Sequence, residues 1–120
     1  MTEHNFKYKQ VIVIRKDITM SPAKLGVQIA HGAIESYRHS NLLIRDPWYF
    51  EGMKKIVLMV KNLDDLNKFK NKAEASGFKP ISIVDFGLTE IEPNTITGLA
   101  FPISEVEAID KITKRLQLYR

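Results

Sequence analysis

Cysteine is missing altogether from the 120 residues, which excludes disulfides and thiolate chemistry. Histidine occurs only as His4, His31 and His39, without zinc-ligand spacing, so no structural metal is expected. No apolar run approaches the roughly 20 residues that a membrane helix requires. The opening Met1-Thr2-Glu3-His4-Asn5 has no apolar signal core, and a soluble cytoplasmic protein without membrane contact is expected. Repeats, low-complexity tracts and linker-like stretches are also missing, which predicts one domain over residues 1–120. No Gly-x-Ser-x-Gly elbow, P-loop or dinucleotide fingerprint appears.

What is present reads as alternating strands and helices. Val11-Ile12-Val13-Ile14 is a continuous β-branched run, as in a strand covered on both faces, and Lys55 to Val60 repeats the pattern. Between them, Ser21 and Pro22 have the chemistry of a helix cap and first position, opening a helix that reaches about His39. Asp46-Pro47 predicts a break before the next element. Asn62 caps a second helix that Gly77 ends, with Leu63, Leu66, Phe69 and Ala73 on its core face. Pro80 to Asp85 predicts a third strand. Thr95 to Phe101 predicts a fourth, with Thr95, Thr97, Leu99 and Phe101 on one face. Ser104 and Glu107 have capping-box spacing for a last helix. The order implies an α/β fold, a three-layer α/β/α domain with a four-stranded mixed sheet. The nine residues from Phe86 to Asn94 are too few for a crossover helix, so the last strand runs antiparallel.

Chemistry concentrates on the first helix and at the tip of the third strand. Lys24, Gln28 and His31 recur at i, i+4 and i+7, and Glu35 and Arg38 complete a narrow polar arc on an otherwise apolar or small-residue helix. Such a helix is expected to be mostly buried, with its polar side chains lining a surface or a groove. Asp85 ends its strand where Thr95 and Thr97 begin the returning one, and open α/β sheets place ligands at this edge. There Asp85 orients or deprotonates a water, and Lys24 stabilises an oxyanion or grips a phosphate. Thr97 donates to the substrate, Gln28 fixes a carbonyl or the water, and His31, about 10 Å from Lys24 along the helix, has a positioning role. Each has a plainer reading too, from a solvated Lys24 to an Asp85 that merely caps a turn. The formal net charge of +4 favours polyanion partners only mildly.

At these residues the chain resembles the class II peptidyl-tRNA hydrolases, the archaeal and eukaryotic type. The likeness runs through Arg15-x-Asp17-x-x-Met20, Lys24-x-x-x-Gln28-x-Ala30-His31 and Gly52-x-x-Lys55-Ile56-Val57. It ends with Asp85-x-Gly87-x-Thr89-x-x-Glu92-Pro93-x-Thr95-Ile96-Thr97. It departs where Pro22 replaces a usual lysine and Asn94 a usual glycine, and at Leu88 and Glu90. The resemblance implies hydrolysis of the ester between peptide and tRNA, without metal or organic cofactor, by a homodimer. It implies site residues at Lys24, Gln28, His31, Asp85, Thr89 and Thr97, with Thr95 and Arg15 added as substrate-binding positions. Two alternatives share the fold: a non-catalytic RNA- or protein-binding module, and an esterase acting on another acyl-nucleotide. Trp48-Tyr49-Phe50 is a candidate interface cluster, or else packs over the core.

Overall fold

Val11, Ile12, Val13 and Ile14 have no exposed surface, as a strand covered on both faces requires. They form the centre of β1 (Tyr8–Arg15) in a computed structural model that describes residues 6–86 and 91–120. The chain continues through α1 (Pro22–Arg38), α2 (Leu42–Glu51), β2 (Lys55–Val60), α3 (Leu63–Ala75) and β3 (Ile81–Asp85). Beyond the turn come β4 (Thr95–Ala100), β5 (Ser104–Glu105), α4 (Val106–Thr113) and β6 (Gln117–Leu118). The sheet order is β3-β4-β1-β2-β6, with β5 pairing the start of β1. β1 and β2 are parallel, while β4 runs antiparallel to both its neighbours, β3 and β1.

The α/β/α layering follows from the alternation along β1. Val11 and Val13 pack with Leu66, Phe69 and Ala73 of α3 and Ile109 and Ile112 of α4. Ile12 and Ile14 face the other way, with Ile83 and Ala100, against Leu25, Ile29 and Ala33 of α1. Four strands were expected. β5 and β6, two residues each, extend the sheet, and so short a strand has no alternation to read.

Helix starts follow the capping chemistry at two of three predicted sites. Ser21 Oγ accepts from the Lys24 backbone N–H at 3.1 Å, with Pro22 in the first helical position. Asn62 Oδ1 accepts from Asp65 N–H at 2.9 Å, and Gly77 follows α3 at φ +91°. The Ser104–Glu107 capping box does not form. Ser104 belongs to β5, its hydroxyl donates to the Pro102 carbonyl, and α4 begins after Glu105 without a side-chain cap. The expected break at Asp46-Pro47 is not there either, because Pro47 lies inside α2. Asn41 caps that helix and Trp48 anchors it, buried and donating its indole N–H to the Lys54 carbonyl at 2.8 Å. Asn94 takes φ +63°, the left-handed conformation that asparagine tolerates better than most residues.

One irregularity positions the site. Ile83 pairs with Gly98 but Val84 pairs with Ile96, so Thr97 is an extra residue in β4, a β-bulge. Ile96 and Leu99 both pack toward α3 and α4, while a Cβ at Gly98 would meet Ile14, on the α1 side. Thr97 therefore joins Gly98 on the α1 side rather than sharing a face with Leu99 and Phe101, as strict alternation predicted.

Candidate active site

The polar stripe of α1 is turned partly inward. The buried residues of the helix are Lys24, Gln28, Gly32 and Ser36, spaced every fourth position, whereas Val27 and Ile34 are 46% and 59% exposed. The helix is therefore covered along one side rather than mostly buried, with Leu25, Ile29 and Ala33 packing on the core beside the inner part of the stripe. Gly32 explains it: a Cβ there would lie 2.8 Å from Ile83 Cδ1, so the missing side chain lets α1 approach β3 closely along its polar edge.

That approach joins the two ends of the chemistry. Lys24 Nζ stands 2.5 Å from Asp85 Oδ1, and Gln28 Nε2 donates to the same oxygen at 3.3 Å. Gln28 Oε1 in turn accepts the Thr97 hydroxyl at 2.7 Å, and the Ile83 carbonyl lies 3.3 Å from that hydroxyl. The bulge makes this last link by carrying Thr97 to the α1 side. Lys24 and Asp85 keep 8% and 4% of their surface exposed, while Gln28 and Thr97 have none. The ion pair thus lies at the edge of solvent, with the amide and hydroxyl sealed behind it. A carboxylate held by two donors, with an ammonium beside it, can orient a water and balance charge that develops on a carbonyl oxygen.

The remaining predicted residues are spread around this chain. His31, on the exposed side of α1, lines a groove against β3 rather than touching the ion pair. Thr95 stands opposite Asp85 in the ladder, and its hydroxyl donates to the Glu92 carbonyl at 2.7 Å. Arg15 grips Asp17 with two N–H groups, at 3.1 and 2.9 Å, and donates a third bond to the Ile96 carbonyl. Hydrogen bonding from Arg15, with help from its charge, holds the Asp17 carboxyl below its ordinary range against the opposing effect of burial. Thr89 lies outside the described residues, as do Leu88 and Glu90. Among the described residues, no three of His, Asp and Glu gather as a metal ion would need, and no helix is long and apolar enough to cross a membrane.

Two features escaped the sequence reading. One is the groove where His31 lies, about 310 Å³, walled by Ile34, Ser82, Val84 and Phe86; exposed apolar residues in helix and strand gave no common signal for it. The other, about 470 Å³, opens at the ends of β1 and β2, with Lys16, Lys61 and Arg115 beside the carboxylates of Asp17 and Asp65 around a floor of Met59, Val60 and Leu116. Neither Lys61 nor Arg115 pairs with a carboxylate among the described residues.

Comparison with known proteins identifies the family of the chain. Residues 8–119 match the family model described as "Peptidyl-tRNA hydrolase PTH2". A peptidyl-tRNA hydrolase of Thermococcus onnurineus is 42% identical over 116 residues, covering 94% of this chain and 98% of the relative. That of Thermoplasma acidophilum is 38% identical over 113 residues, covering 92% and 97%. Among solved structures, a protein of unknown function from Agrobacterium tumefaciens superposes with a TM-score of 0.64 over 97% of this chain and 100% of its own. Its identity is 12%, so it speaks for the fold alone.

Proposed function

Because the chain belongs to the peptidyl-tRNA hydrolase PTH2 family, we propose that it hydrolyses the ester joining a peptide's C-terminus to the terminal ribose of tRNA, releasing both for reuse. The observation that carries the reading is the chain Lys24–Asp85–Gln28–Thr97 at the solvent edge of the strand tips. Asp85 orients the attacking water and accepts its proton. Lys24 stabilises the negative charge that develops on the carbonyl oxygen of the tetrahedral intermediate. The bond from the carbonyl carbon to the ribose oxygen then breaks, and that oxygen takes up the proton held by Asp85 as it leaves as a hydroxyl. Gln28 and Thr97, sealed from solvent, act as positioning residues that hold the carboxylate in place. His31 and Thr95 border the substrate, Thr89 is assigned a substrate-binding role by family analogy alone, and Arg15 serves indirectly by tying the β1 tip to β4 through the Ile96 carbonyl.

The tRNA is met at the other end of the same sheet edge. β3 and β2 are three strand spacings apart, about 14 Å, so the cavity ringed by Lys16, Lys61 and Arg115 lies within reach of nucleotides next to the ester. The cytoplasm, where peptidyl-tRNA arises, is the compartment this reading assigns. A homodimer is assigned by family analogy. Its candidate surface is the outer side of α2, where Tyr49 and Phe50 are 52% and 83% exposed although Trp48 beside them is buried.

Release of peptide from purified peptidyl-tRNA tests the activity. Turnover by the wild type, lost in Asp85→Asn and Lys24→Met with folding intact by circular dichroism, supports it. Salt-dependent tRNA binding without release would replace it with a binding module, and cleavage of simple esters indifferent to the tRNA body with a general esterase.

A further inference from the structure

The groove between α1 and β3 is walled by chain neighbours of the ion pair. Val84 and Phe86 flank Asp85 in the chain, and His31 lies one helical turn beyond Gln28. We infer that this groove holds the acyl half of the substrate: the last two or three peptide residues lie along the outer edge of β3 as an added strand. The inference rests on the peptidyl-tRNA reading above and specifies how the peptide is recognised.

Polarity separates the two cavities. No lysine or arginine lines the β3 groove, and its one carboxylate, Glu35, faces Arg38 and His39 at 3.6 and 3.7 Å. The cavity at the β1 and β2 tips carries three cations against two carboxylates, Asp17 and Asp65, and Asp17 is already held by Arg15. A polyanion is drawn to the second, and a neutral peptide chain fits the first. Ile34 and Phe86, 59% and 76% exposed, give the groove apolar walls that such a chain would cover.

The backbone of β3 supplies the specificity that a nascent peptide allows. Among the described residues β3 pairs with β4 only. The Ile83 carbonyl points toward β4, where the Thr97 hydroxyl reaches it. By strand alternation, the N–H and C=O groups of Ser82 and Val84 therefore point outward, unpaired by the sheet. Bonds to these groups read peptide backbone without regard to side chains, as an enzyme must when its substrates share no sequence. The direction is also determined. The peptide is esterified through its C-terminus, and the ester sits at Asp85, the C-terminal end of β3, so the added strand runs parallel to β3.

The test is a length series on one tRNA: N-acetyl-aminoacyl-tRNA, then N-acetyl peptidyl-tRNAs of two, three and four residues, hydrolysed by the whole chain. We expect kcat/KM to climb about tenfold between one and three residues and then level off, the size that one or two backbone hydrogen bonds give. Methylating the peptide amide nitrogens that face β3 should abolish the rise. So should Ser82→Pro, since an outward N–H can be removed from an edge strand without loss of a native ladder bond. A profile flat in chain length, or N-methylated peptides hydrolysed as well as their parents, would overturn the inference while leaving the hydrolase intact; the methylated substrates decide this even if Ser82→Pro fails to fold. A wild type inert across the whole series would instead overturn the hydrolase reading itself.

Discussion

The Thr97 hydroxyl donates to Gln28 Oε1 at 2.7 Å, and this bond settles which end of the amide faces Asp85. With the carbonyl occupied, Gln28 presents its NH₂ to the carboxylate. A residue with no exposed surface thereby governs one at the solvent edge. Thr97→Val keeps the shape but removes the donor, leaving a buried carbonyl unsatisfied. The expected outcome is a loss of about 1–3 kcal/mol in stability, with kcat falling at least tenfold and KM little changed. Thr97→Ser should restore most of both. Steady-state kinetics and urea unfolding measure the two effects, and a kcat in Thr97→Val equal to wild type would remove Thr97 from the mechanism.

The ion pair behind the chemistry obeys a different logic. Lys24 and Asp85 are both buried, so removing either strands the other charge, with an expected loss of about 3–5 kcal/mol. The double variant Lys24→Met, Asp85→Leu replaces both by apolar groups of similar volume. It should be more stable than either single variant, and all three should be inactive. A double-mutant cycle by denaturant unfolding checks this; additive losses would mean that the two groups do not interact.

Near the pair, Ser21 closes the first turn of α1 through the Lys24 backbone N–H. Ser21→Ala should lower stability by about 1 kcal/mol, the usual size of a lost N-cap. Pro22 still holds the first turn, so activity should fall less than in any variant of the ion pair. Thermal unfolding and turnover on the same preparation measure the two quantities.

Much of this was legible in the residues because local chemistry and tertiary demand agree. The β-branched runs of β1 and β2 sit where a doubly covered sheet needs them, and Ser21-Pro22 and Asn62 start helices that packing also requires. Lys24 and Asp85, 61 positions apart, were brought together by topology alone. What could not be read depends on fit rather than period. The bulge at Thr97 breaks strand alternation in response to β3 and α1, neither of which leaves a mark on the Thr95–Ala100 segment. The inward rotation of α1 hangs on Gly32, whose missing side chain matters only because Ile83 lies opposite. Pro47 was misjudged because a helix anchored by Asn41 and Trp48 tolerates the loss of one internal bond.

The Arg15–Asp17 fork makes stability respond to acid. The Asp17 carboxyl titrates below its ordinary value of 3.8, so the folded state binds its proton less readily than the unfolded chain. Its contribution is full above that ordinary value and is lost as pH falls through the lowered one. The pair is partly exposed, so the effect is small, within about 1 kcal/mol. Asp17→Asn should narrow the stability difference between pH 6 and pH 2.5, measured by urea unfolding at each pH, and an unchanged difference would mean that the fork contributes nothing.

Salt dependence tests where the tRNA lies. Each phosphate neutralised by a cation releases counterions, so log affinity falls with log salt by about 0.7–0.9 per contact. Lys61 and Arg115 stand at the rim of the second cavity without carboxylate partners among the described residues. If both meet phosphates, Lys61→Ala and Arg115→Ala should each raise the Kd for tRNA and flatten its salt slope by about that amount, and the double variant by about twice as much. Turnover at saturating substrate should stay near the wild-type rate, because neither side chain approaches Asp85. Slopes identical to wild type would move the tRNA off this cavity. A fall in kcat without a change in slope would instead tie the cavity to the geometry of the strand tips, through Lys16 at the end of β1.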